Sequence, residues 1–392
     1  MPFRAKASGC IGRPAFQPEL TYAGKPLAGR FIQLYAVVHN RASLANVSRG
    51  IAEFLSVYSG PVGVQSITGL ARQLPAGCRV GTDAAAPIGF CYATPDLVRP
   101  PALAHAVRIL GFACEADRIP DRWVDTCADF DLIVVPSRYC ERVLRASGVE
   151  NAILVAHHGI GRAFRPRPRP LRGAGPFVFY SVVNTRMPDR KGLSPLLEAF
   201  AEEFSAEKVT LHLRGLDHDV LRAALASAGL DGDRRIRLLD ADADEEDYAA
   251  HFARVDCTVQ PSRAEGFGLV PLQSIASGTP VITPQGTGLA EYVTARNAIV
   301  LPVGPLDEPR DPFYTAGRQP TILVDDVRRC LRLAFENPGA ERARALAASS
   351  GLRREFSWAR VTRPLGKLLL QLGNLPDATD RAKLLEPLTR RR

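Results

Sequence analysis

Short apolar runs alternate with helical patterns along most of this chain, and they fall into two sets. Such alternation is typical of parallel sheets built from β-α-β units, because each parallel strand needs a crossover connection. The predicted strands are Phe31–Val37, Gly63–Ile67, Ile88–Tyr92, Val107–Ala113, Leu132–Val135 and Ile153–Ala156 in the first set, and Phe177–Val182, Val209–Leu213, Ile236–Leu238, Cys257–Val259, Val281–Ile282 and Ala298–Leu301 in the second. The sequence therefore predicts an α/β fold with two Rossmann-like domains.

An arginine- and proline-rich segment, residues 162–176, separates the two sets. Alternating Arg-Pro stays extended and the Gly-Ala-Gly after it does not pack, so we interpret residues 164–176 as a linker. The predicted organisation is an N-terminal extension (1–28), a first domain (29–163), the linker, a second domain (177–350) and a loose polar tail (374–392).

The composition is that of a globular protein. At 392 residues and 46% hydrophobic content, the chain can bury two cores of ordinary domain size. No apolar run approaches the roughly 20 residues that span a bilayer, and the N-terminus lacks the apolar core of a signal peptide. The eight cysteines include no C-x-x-C pair and match no metal-binding pattern. We expect reduced thiols in a cytoplasmic protein.

The net charge of +9 allows several kinds of partner. A basic balance suits phosphorylated substrates, an anionic membrane surface or nucleic acid. A solvated, arginine-rich surface without a partner explains the same charge equally well. There is no interleaving of basic and aromatic residues of the kind that single-strand binders use. The charge alone leaves these alternatives open.

Residues 262–282 contain the clearest chemical motif of the chain. Glu265 opens a Gly-Phe-Gly loop that runs into a short apolar helix, which is predicted to have Pro271 in its first turn and to end at Gly278. A glycine loop at a helix N-terminus offers free N–H donors and the positive end of a dipole, which suit a phosphate. The preceding carboxylate suits sugar hydroxyls because it accepts several hydrogen bonds. Together they indicate a nucleotide-sugar.

A second motif, Arg186-Met-Pro-Asp-Arg-Lys191-Gly, directly follows the predicted strand Phe177–Val182. Arg186 and Lys191 are therefore expected on a loop at the carboxyl end of a strand, where open α/β sheets bind ligands. Two cations in this position can hold a diphosphate and offset the charge that develops on a leaving nucleotide.

These two motifs, together with the Gly-Thr-Pro-Val-Ile that follows, resemble the donor half of a GT-B glycosyltransferase of the family 4 type. Residues 115–123, 135–139 and 155–166 are similar to the acceptor half. Arg354-Glu-Phe-Ser-Trp358 resembles the start of the C-terminal helix, expected over about 353–372, that crosses back to complete the first domain. The resemblance implies two Rossmann-like domains facing across a cleft.

The resemblance also implies retaining transfer from a nucleoside-diphosphate sugar, with no metal and no other cofactor. Arg186 and Lys191 would bind the diphosphate. Glu265 and the amides of Gly266, Phe267, Gly268 and Leu269 would hold the sugar and its adjacent phosphate. The family's second acid, which grips the ribose hydroxyls, is replaced here by Gln273. An amide accepts through one oxygen only, so the donor, a UDP- or GDP-sugar, is left open.

The first domain departs further from the family pattern. Asn40 lies in a segment, His39–Asn46, that replaces the usual glycine-rich loop. Glu115 or Asp117 is a candidate for the cleft position that a histidine often fills, and pairing with Arg118 or Arg122 is the structural alternative. His158, at a predicted strand end, is a further cleft candidate, whereas we interpret His157 as structural.

Other chemistries are disfavoured. The acidic run 240–247 fails the calcium-loop pattern, lacking its glycine and its final glutamate, and fits a helix N-terminus instead. No metal site is predicted. Residues 159–161, Gly-Ile-Gly, lack the third glycine of a dinucleotide fingerprint, and there is no nucleophile elbow of a hydrolase.

The predicted function is glycosyl transfer to a cell-envelope glycan or lipid-linked sugar, with peripheral contact at the inner face of an anionic membrane. Two alternatives remain. One is glycosylation of modified DNA bases, which the basic charge favours. The other is a non-catalytic nucleotide-sugar-binding or scaffold protein, which Gln273 and the missing glycine loop favour.

Overall fold

The computed structural model describes residues 32–37, 43–67, 74–75, 77–81, 83, 85–98, 104–168, 175–240, 244–311 and 315–389. Its strands are β1 Ile32–Ala36, β2 Val62–Ser66, β3 Cys78–Val80, β4 Ile88–Tyr92, β5 Val107–Gly111, β6 Leu132–Val135, β7 Ala152–Val155, β8 Phe177–Val182, β9 Val209–Gly215, β10 Ile236–Asp240, β11 Cys257–Val259, β12 Val281–Thr283, β13 Ile299–Val300, β14 Leu306–Asp307 and β15 Gln319–Pro320.

The helices lie mainly between consecutive strands. They are α1 Ser43–Ser59, α2 Asp121–Ala128, α3 Arg138–Ala146, α4 Leu193–Glu203, α5 His218–Ser227, α6 Glu245–Arg254, α7 Leu269–Ala276, α8 Val324–Glu336, α9 Pro338–Glu355, α10 Trp358–Val361, α11 Arg363–Asn374 and α12 Ala378–Thr389. A 3-10 helix, Thr287–Glu291, follows β12.

Thirteen of the strands form two parallel sheets with the same winding, and β14 and β15 pair antiparallel as a separate hairpin. The first sheet has the order β3-β2-β1-β4-β5-β6-β7 and the second has the order β10-β9-β8-β11-β12-β13. Counted from the first strand of each sheet, both begin 3-2-1-4-5-6, which is the doubly wound Rossmann order. The α/β class and the two Rossmann-like units predicted from the sequence are confirmed.

Each sheet is covered on both faces, as parallel sheets require. In the first sheet, alternate residues of β4 enter different cores: Phe90 packs with α1 and α11, whereas Cys91 packs with Trp123 of α2. In the second sheet, Phe179 belongs to the core under α4 and α8, and its neighbour Tyr180 belongs to the core under α6 and α7. The period of two along a strand produces this division.

The chain passes between the two sheets twice. After β7, Ile160 donates its N–H to the carbonyl of Phe356 at 2.7 Å, so the two passages run side by side. Beyond the second passage, α11 places Leu365, Leu369 and Leu372 in the core of the first sheet. Where the sequence predicts one C-terminal helix over about 353–372, the chain forms α10 and α11, since Pro364 starts a new helix at α11.

Two expectations need correction. The segment 374–392 is not a loose polar tail over its described part, because α12 buries Leu385 in the first core and Arg145 donates to the carbonyl of Leu388 at 2.7 Å. The predicted linker also begins too early, because Phe164 is buried among the aromatic residues beside α6. Residues 1–31 and 169–174, which include the whole predicted N-terminal extension and part of the linker, lie outside the described residues.

Candidate active site

The loops that follow β8 and β11 meet where the strand order of the second sheet reverses. These two strands are neighbours, with Phe179 opposite Cys257, although β9 and β10 separate them in the sequence. Ligands of open α/β sheets bind at the carboxyl ends of strands at such a switch point. Lys191 lies on the first of these loops and Glu265 on the second. The two motifs found in the sequence therefore share one site.

A buried ion-pair cluster forms the centre of this site. The ammonium of Lys191 donates to Glu265 Oε1 at 2.5 Å, and Arg190 Nη1 lies 3.4 Å from Glu265 Oε2. The exposed fractions of the three side chains are 13%, 4% and 8% for Lys191, Arg190 and Glu265, so water screens these charges weakly. Arg190 Nη1 also donates to the carbonyl of Ala264 at 2.9 Å, which fixes the guanidinium beside the carboxylate.

The charge state of the cluster follows from these contacts. Burial raises the pKa of Glu265, but Lys191 and Arg190 outweigh it and hold the pKa at about 2, so the carboxylate is ionised. Burial lowers the pKa of Lys191, against the opposing effect of Glu265. The charge on Glu265 and the charge on Lys191 therefore stabilise each other, and removing either one leaves the other buried without this partner.

The depressed pKa of Glu265 predicts acid-dependent stability. A carboxyl that titrates near 2 when folded and near 4.5 when unfolded stabilises the fold above pH 4.5, and this stabilisation is lost as the pH falls towards 2. The contribution is on the order of 3 kcal/mol. Urea unfolding of the wild type and Glu265→Gln between about pH 6 and about pH 2.5 measures it, and the stability difference should shrink as the pH falls. A pH-independent difference contradicts this assignment.

Three carbonyls of the loop that begins at Glu265 accept hydrogen bonds from other parts of the protein. The carbonyls of Glu265 and Gly266 accept from Gly288 N at 2.8 Å and Ser137 Oγ at 2.6 Å, and that of Gly268 accepts from the Tyr292 hydroxyl. In a trans peptide unit, the N–H of the following residue points in the direction opposite to the carbonyl, so these amides face away from the partners of the carbonyls.

Within the described ranges, the N–H groups of residues 266–269 have no protein acceptor. We call residues 265–269 the donor loop, and these amides are available to an anion at the start of α7.

Two glycines of the donor loop are required by the backbone and by packing. Gly268 precedes α7 with φ of +84°, a conformation that other L-residues adopt only with strain. A Cβ on Gly266 would lie 2.6 Å from the Cβ of Ala113, which belongs to the segment after β5. The donor loop therefore contacts the first sheet's connecting loops directly.

Of the predicted acceptor-side acids, Glu115 faces this cluster. Burial raises the pKa of its carboxyl, Arg190 and Lys191 lower it, and the like charge of Glu265 raises it further. The net direction is upward. Glu115 follows Cys114, whose carbonyl oxygen would lie 3.2 Å from a Cβ on Gly266, so the segment that carries Glu115 contacts the donor loop. The alternative of pairing with Arg118 or Arg122 is not observed, because those arginines pair with Asp121 and Asp96.

Asp117 is engaged elsewhere. Its Oδ1 accepts from the backbone N of Arg318 at 2.6 Å, and its Oδ2 lies 3.6 Å from Arg318 Nε. Asp117 therefore joins the first sheet's loops to the segment before β15, and the pairing partner is Arg318 rather than a neighbour in sequence. Asn40 lies outside the described residues.

His158 is buried beside the donor loop. Its Nε2 is 2.6 Å from the hydroxyl of Tyr92, and its ring packs edge-on against Phe267 at 5.2 Å between centroids. Burial, with a small effect of His157, lowers the pKa of His158 to about 3, so the ring is neutral. His157 stacks on the same phenyl ring at 5.7 Å. Phe267 therefore contacts both histidines.

Arg186 and Gln273 occupy the edges of the site. Arg186 is exposed, and within the described part of the chain its guanidinium forms no ion pair, so its role at a diphosphate stays a prediction. Gln273, on the second turn of α7, is buried, and its Oε1 accepts from the Tyr248 hydroxyl at 3.3 Å. The amide oxygen thus already has one partner.

Sequence reasoning missed Arg190 and Arg263. Arg190 stands next to Lys191, and a third cation in that loop was the available signal. Arg263 is 5% exposed; it pairs with Asp189 and donates to the carbonyls of Glu308 and Pro320, both at 3.1 Å. It therefore ties the loop after β8 to the hairpin β14–β15. No local pattern marks such a long-range contact.

No group of three His, Cys, Asp or Glu side chains among the described residues is arranged to hold a metal ion, and Asp244 instead caps α6 by accepting from Asp247 N at 2.7 Å. None of the seven cysteines in the described ranges is joined to another by a disulfide bond. None of the helices there combines the length and apolar character that a bilayer crossing requires.

Two sheets of Rossmann order, with a cationic and amide-rich site at the switch point of the second, have the architecture of the GT-B fold. Two solved structures share the fold. Sucrose-phosphate synthase from Thermosynechococcus elongatus aligns with a TM-score of 0.68 at 17% identity over 88% of this chain and 99% of that one. HepE from Anabaena, solved in complex with UDP and glucose, aligns with a TM-score of 0.64 at 15% identity over 87% of this chain and 99% of that one.

Residues 132–365, more than half of the chain, match the family described as Family 4 Glycosyltransferase in conflict systems. The chain belongs to this family. Among curated proteins, D-inositol 3-phosphate glycosyltransferase of Pseudarthrobacter chlorophenolicus is 26% identical over 239 residues, which are 53% of this chain and 55% of the relative. The chain thus spans about half the length of this relative. The resemblance to family 4 drawn from the sequence is confirmed.

Proposed function

We propose that this protein transfers a glycosyl group from a nucleoside-diphosphate sugar to an acceptor, with retention of anomeric configuration. The observation that carries the proposal is the buried Glu265–Lys191–Arg190 cluster next to the free amides of the donor loop. The amides and Lys191 suit a phosphate, and the ionised carboxylate suits sugar hydroxyls. Family membership supports the same reaction class.

In this proposal the cations act on the leaving group. Negative charge grows on the diphosphate as the bond to the sugar breaks, and Lys191 with the exposed Arg186 stabilises it. When Lys191 turns towards a phosphate, Arg190 still faces Glu265 and keeps that carboxylate ionised. Glu265 Oε1 is then free to accept from a sugar hydroxyl. The chain's own cations supply the charge for this step, and we propose that no metal is required.

Glu115 is the proposed acceptor-side group. It lies on the side of the first sheet and interacts electrostatically with Glu265, Lys191 and Arg190. Its raised pKa suits a group that accepts a hydrogen bond from, or takes a proton from, an incoming acceptor hydroxyl. Asp117, by contrast, is already bound to Arg318.

We propose a UDP-sugar as the donor. HepE, which shares the fold, has been solved with UDP-glucose as well as with UDP. Gln273 and Tyr248 would lie at the nucleoside end of the site, because Gln273 follows the donor loop by one helical turn. A GDP-sugar is the other donor to test.

The proposed acceptor is a polyol or glycan of the cell envelope, reached from the inner face of the membrane. The related glycosyltransferase is named for an inositol phosphate acceptor, which is a phosphorylated polyol. A modified nucleic acid base is the second candidate, because the family is described from conflict systems and the chain has a net charge of +9.

A donor panel tests the reaction. Purified protein is incubated with UDP-glucose, UDP-galactose, UDP-N-acetylglucosamine and GDP-mannose, with and without acceptor extracts, and free nucleoside diphosphate is measured. We expect release from one UDP-sugar, stimulated by acceptor and unchanged by EDTA, with the product's anomeric configuration by NMR matching the donor's. Binding of UDP without any release supports the non-catalytic alternative.

The same panel separates the two acceptors. Stimulation by a lipid extract with flotation on anionic vesicles supports the envelope glycan. Stimulation by phage DNA, with affinity that falls steeply with salt, supports the modified base.

A further inference from the structure

The N-terminus of α3, which belongs to the first sheet, contacts the donor loop of the second. The Ser137 hydroxyl donates to the carbonyl of Gly266 at 2.6 Å, and the Cys140 thiol lies 3.4 Å from the same oxygen. Ser137 is fully buried, so water does not compete for this bond. The same oxygen of Ser137 caps α3 by accepting from Cys140 N at 3.2 Å.

A second contact joins the same helix end to the 3-10 helix Thr287–Glu291. The backbone N–H of Arg138 donates to Glu291 Oε1 at 2.6 Å, and Glu291 Oε2 lies 3.7 Å from His157 Nε2. A carboxylate at a helix N-terminus is stabilised by the free N–H groups and the helix dipole. We call Ser137, Arg138, Gly266 and Glu291 the α3 latch.

Both contacts involve segments that also hold the backbone of Glu265. Gly266 is the next residue along the chain. At the opposite end of the 3-10 helix from Glu291, Gly288 N donates to the Glu265 carbonyl at 2.8 Å and Thr287 Oγ1 accepts from Glu265 N at 3.1 Å. Thr287 has φ of +57°, which strains a β-branched residue and holds its hydroxyl in this position. The backbone of Glu265 is thus bracketed by groups that α3 holds.

We propose that the α3 latch orients the donor loop and that Ser137 is a positioning residue of the glycosyl transfer; this inference rests on the proposed function. The Gly266 carbonyl is tied to Ser137, so the Phe267 N–H points the opposite way, among the amides without a protein acceptor. Without the hydroxyl, the Gly266 carbonyl keeps only the weak thiol donor of Cys140, so this peptide is held less firmly. The orientation of the donor loop therefore depends on the Ser137 side chain, which belongs to the first sheet's half of the protein.

Three variants of Ser137 and Glu291 test the latch. Ser137→Ala removes the hydroxyl, and Ser137→Thr keeps it. Glu291→Gln is the matched control, because its amide oxygen still accepts from Arg138 N. For Ser137→Ala we expect kcat for UDP-sugar turnover to fall about 10- to 100-fold, a larger change than that of KM. Ser137→Thr and Glu291→Gln should stay within about threefold of the wild type. The kcat is counted per UDP-binding site from calorimetry, so partial unfolding does not imitate the effect.

A readout without turnover accompanies the kinetics. Hydrogen exchange of the Glu265 and Gly288 amides, whose hydrogen bonds hold the backbone of Glu265, is measured on ligand-free protein and should be faster in Ser137→Ala and unchanged in Ser137→Thr. Equal exchange together with kcat per site within threefold of the wild type overturns the latch. A wild-type protein that turns over no donor instead refutes the proposed function, and the exchange result then decides the latch alone.

Discussion

Replacing Lys191 by methionine is expected to lower kcat/KM for the donor about 10³-fold. Methionine keeps much of the length of the side chain but removes the ammonium that lies 2.5 Å from Glu265 and is proposed to move to the diphosphate. The loss combines a missing charge at the leaving group with a Glu265 carboxylate that retains only Arg190 as a counter-ion. A 10³-fold loss corresponds to about 4 kcal/mol of transition-state stabilisation. Initial rates over a range of UDP-sugar concentrations measure it.

The matched control for this prediction is Lys208→Met. Lys208 is exposed and lies just before β9, at the amino end of the second sheet, away from the site. It should keep wild-type rates within about twofold. A Lys191→Met enzyme that turns over donor at the wild-type rate removes Lys191 from the reaction. The predicted fall in kcat/KM of Lys191→Met should come mainly from kcat, since the charge on the leaving group is greatest in the transition state.

Glu265→Gln is expected to abolish turnover and to destabilise the fold by about 3–5 kcal/mol at neutral pH, because it leaves two buried cations without an ionised partner. Both Lys191 and Arg190 then face a neutral amide, and the pKa of Lys191, already lowered by burial, loses the opposing effect of the carboxylate. Urea unfolding followed by circular dichroism gives the stability change, and the donor assay gives the activity change.

Glu198→Gln is the control for this second prediction, because Glu198 is exposed on α4 and pairs with no described residue. It should change stability by less than about 0.5 kcal/mol. A double variant, Glu265→Gln with Lys191→Met, should recover part of the lost stability, since the added substitution removes one of the unpaired charges. Simple additivity of the two stability losses would falsify the ion-pair explanation.

The sequence predicted the strands well where they are buried on both faces. Leu132–Val135 is apolar throughout, and Phe177–Val182 is apolar apart from the hydroxyls of Tyr180 and Ser181; near-continuous apolar runs are typical of parallel strands. The strand β3 was missed because it is three residues long and its Arg79 and Val80 are exposed at the sheet's edge. The helix α12 was missed because its sequence is largely polar and it buries only one residue, Leu385.

Site prediction depended on how local each signal was. Glu265 and Lys191 belong to short motifs with clear chemistry, and the structure brings them together. The role of Arg190 was overlooked because its partner, Glu265, lies 75 residues away and no pattern relates them. The bond between Ser137 and Gly266 spans 129 residues and depends on how two sheets pack. Contacts of that kind follow from tertiary structure rather than from any window of sequence.

The return of the chain through α10 to α12 has a consequence for biosynthesis. Leu365, Leu369, Leu372 and Leu385 fill the core of the first sheet, although they are made after every strand of the second. Domains commonly fold in the order in which they leave the ribosome. Here the first-made sheet stays incomplete until α11 and α12 emerge, so the second half, whose core needs none of these leucines, is the one able to fold first.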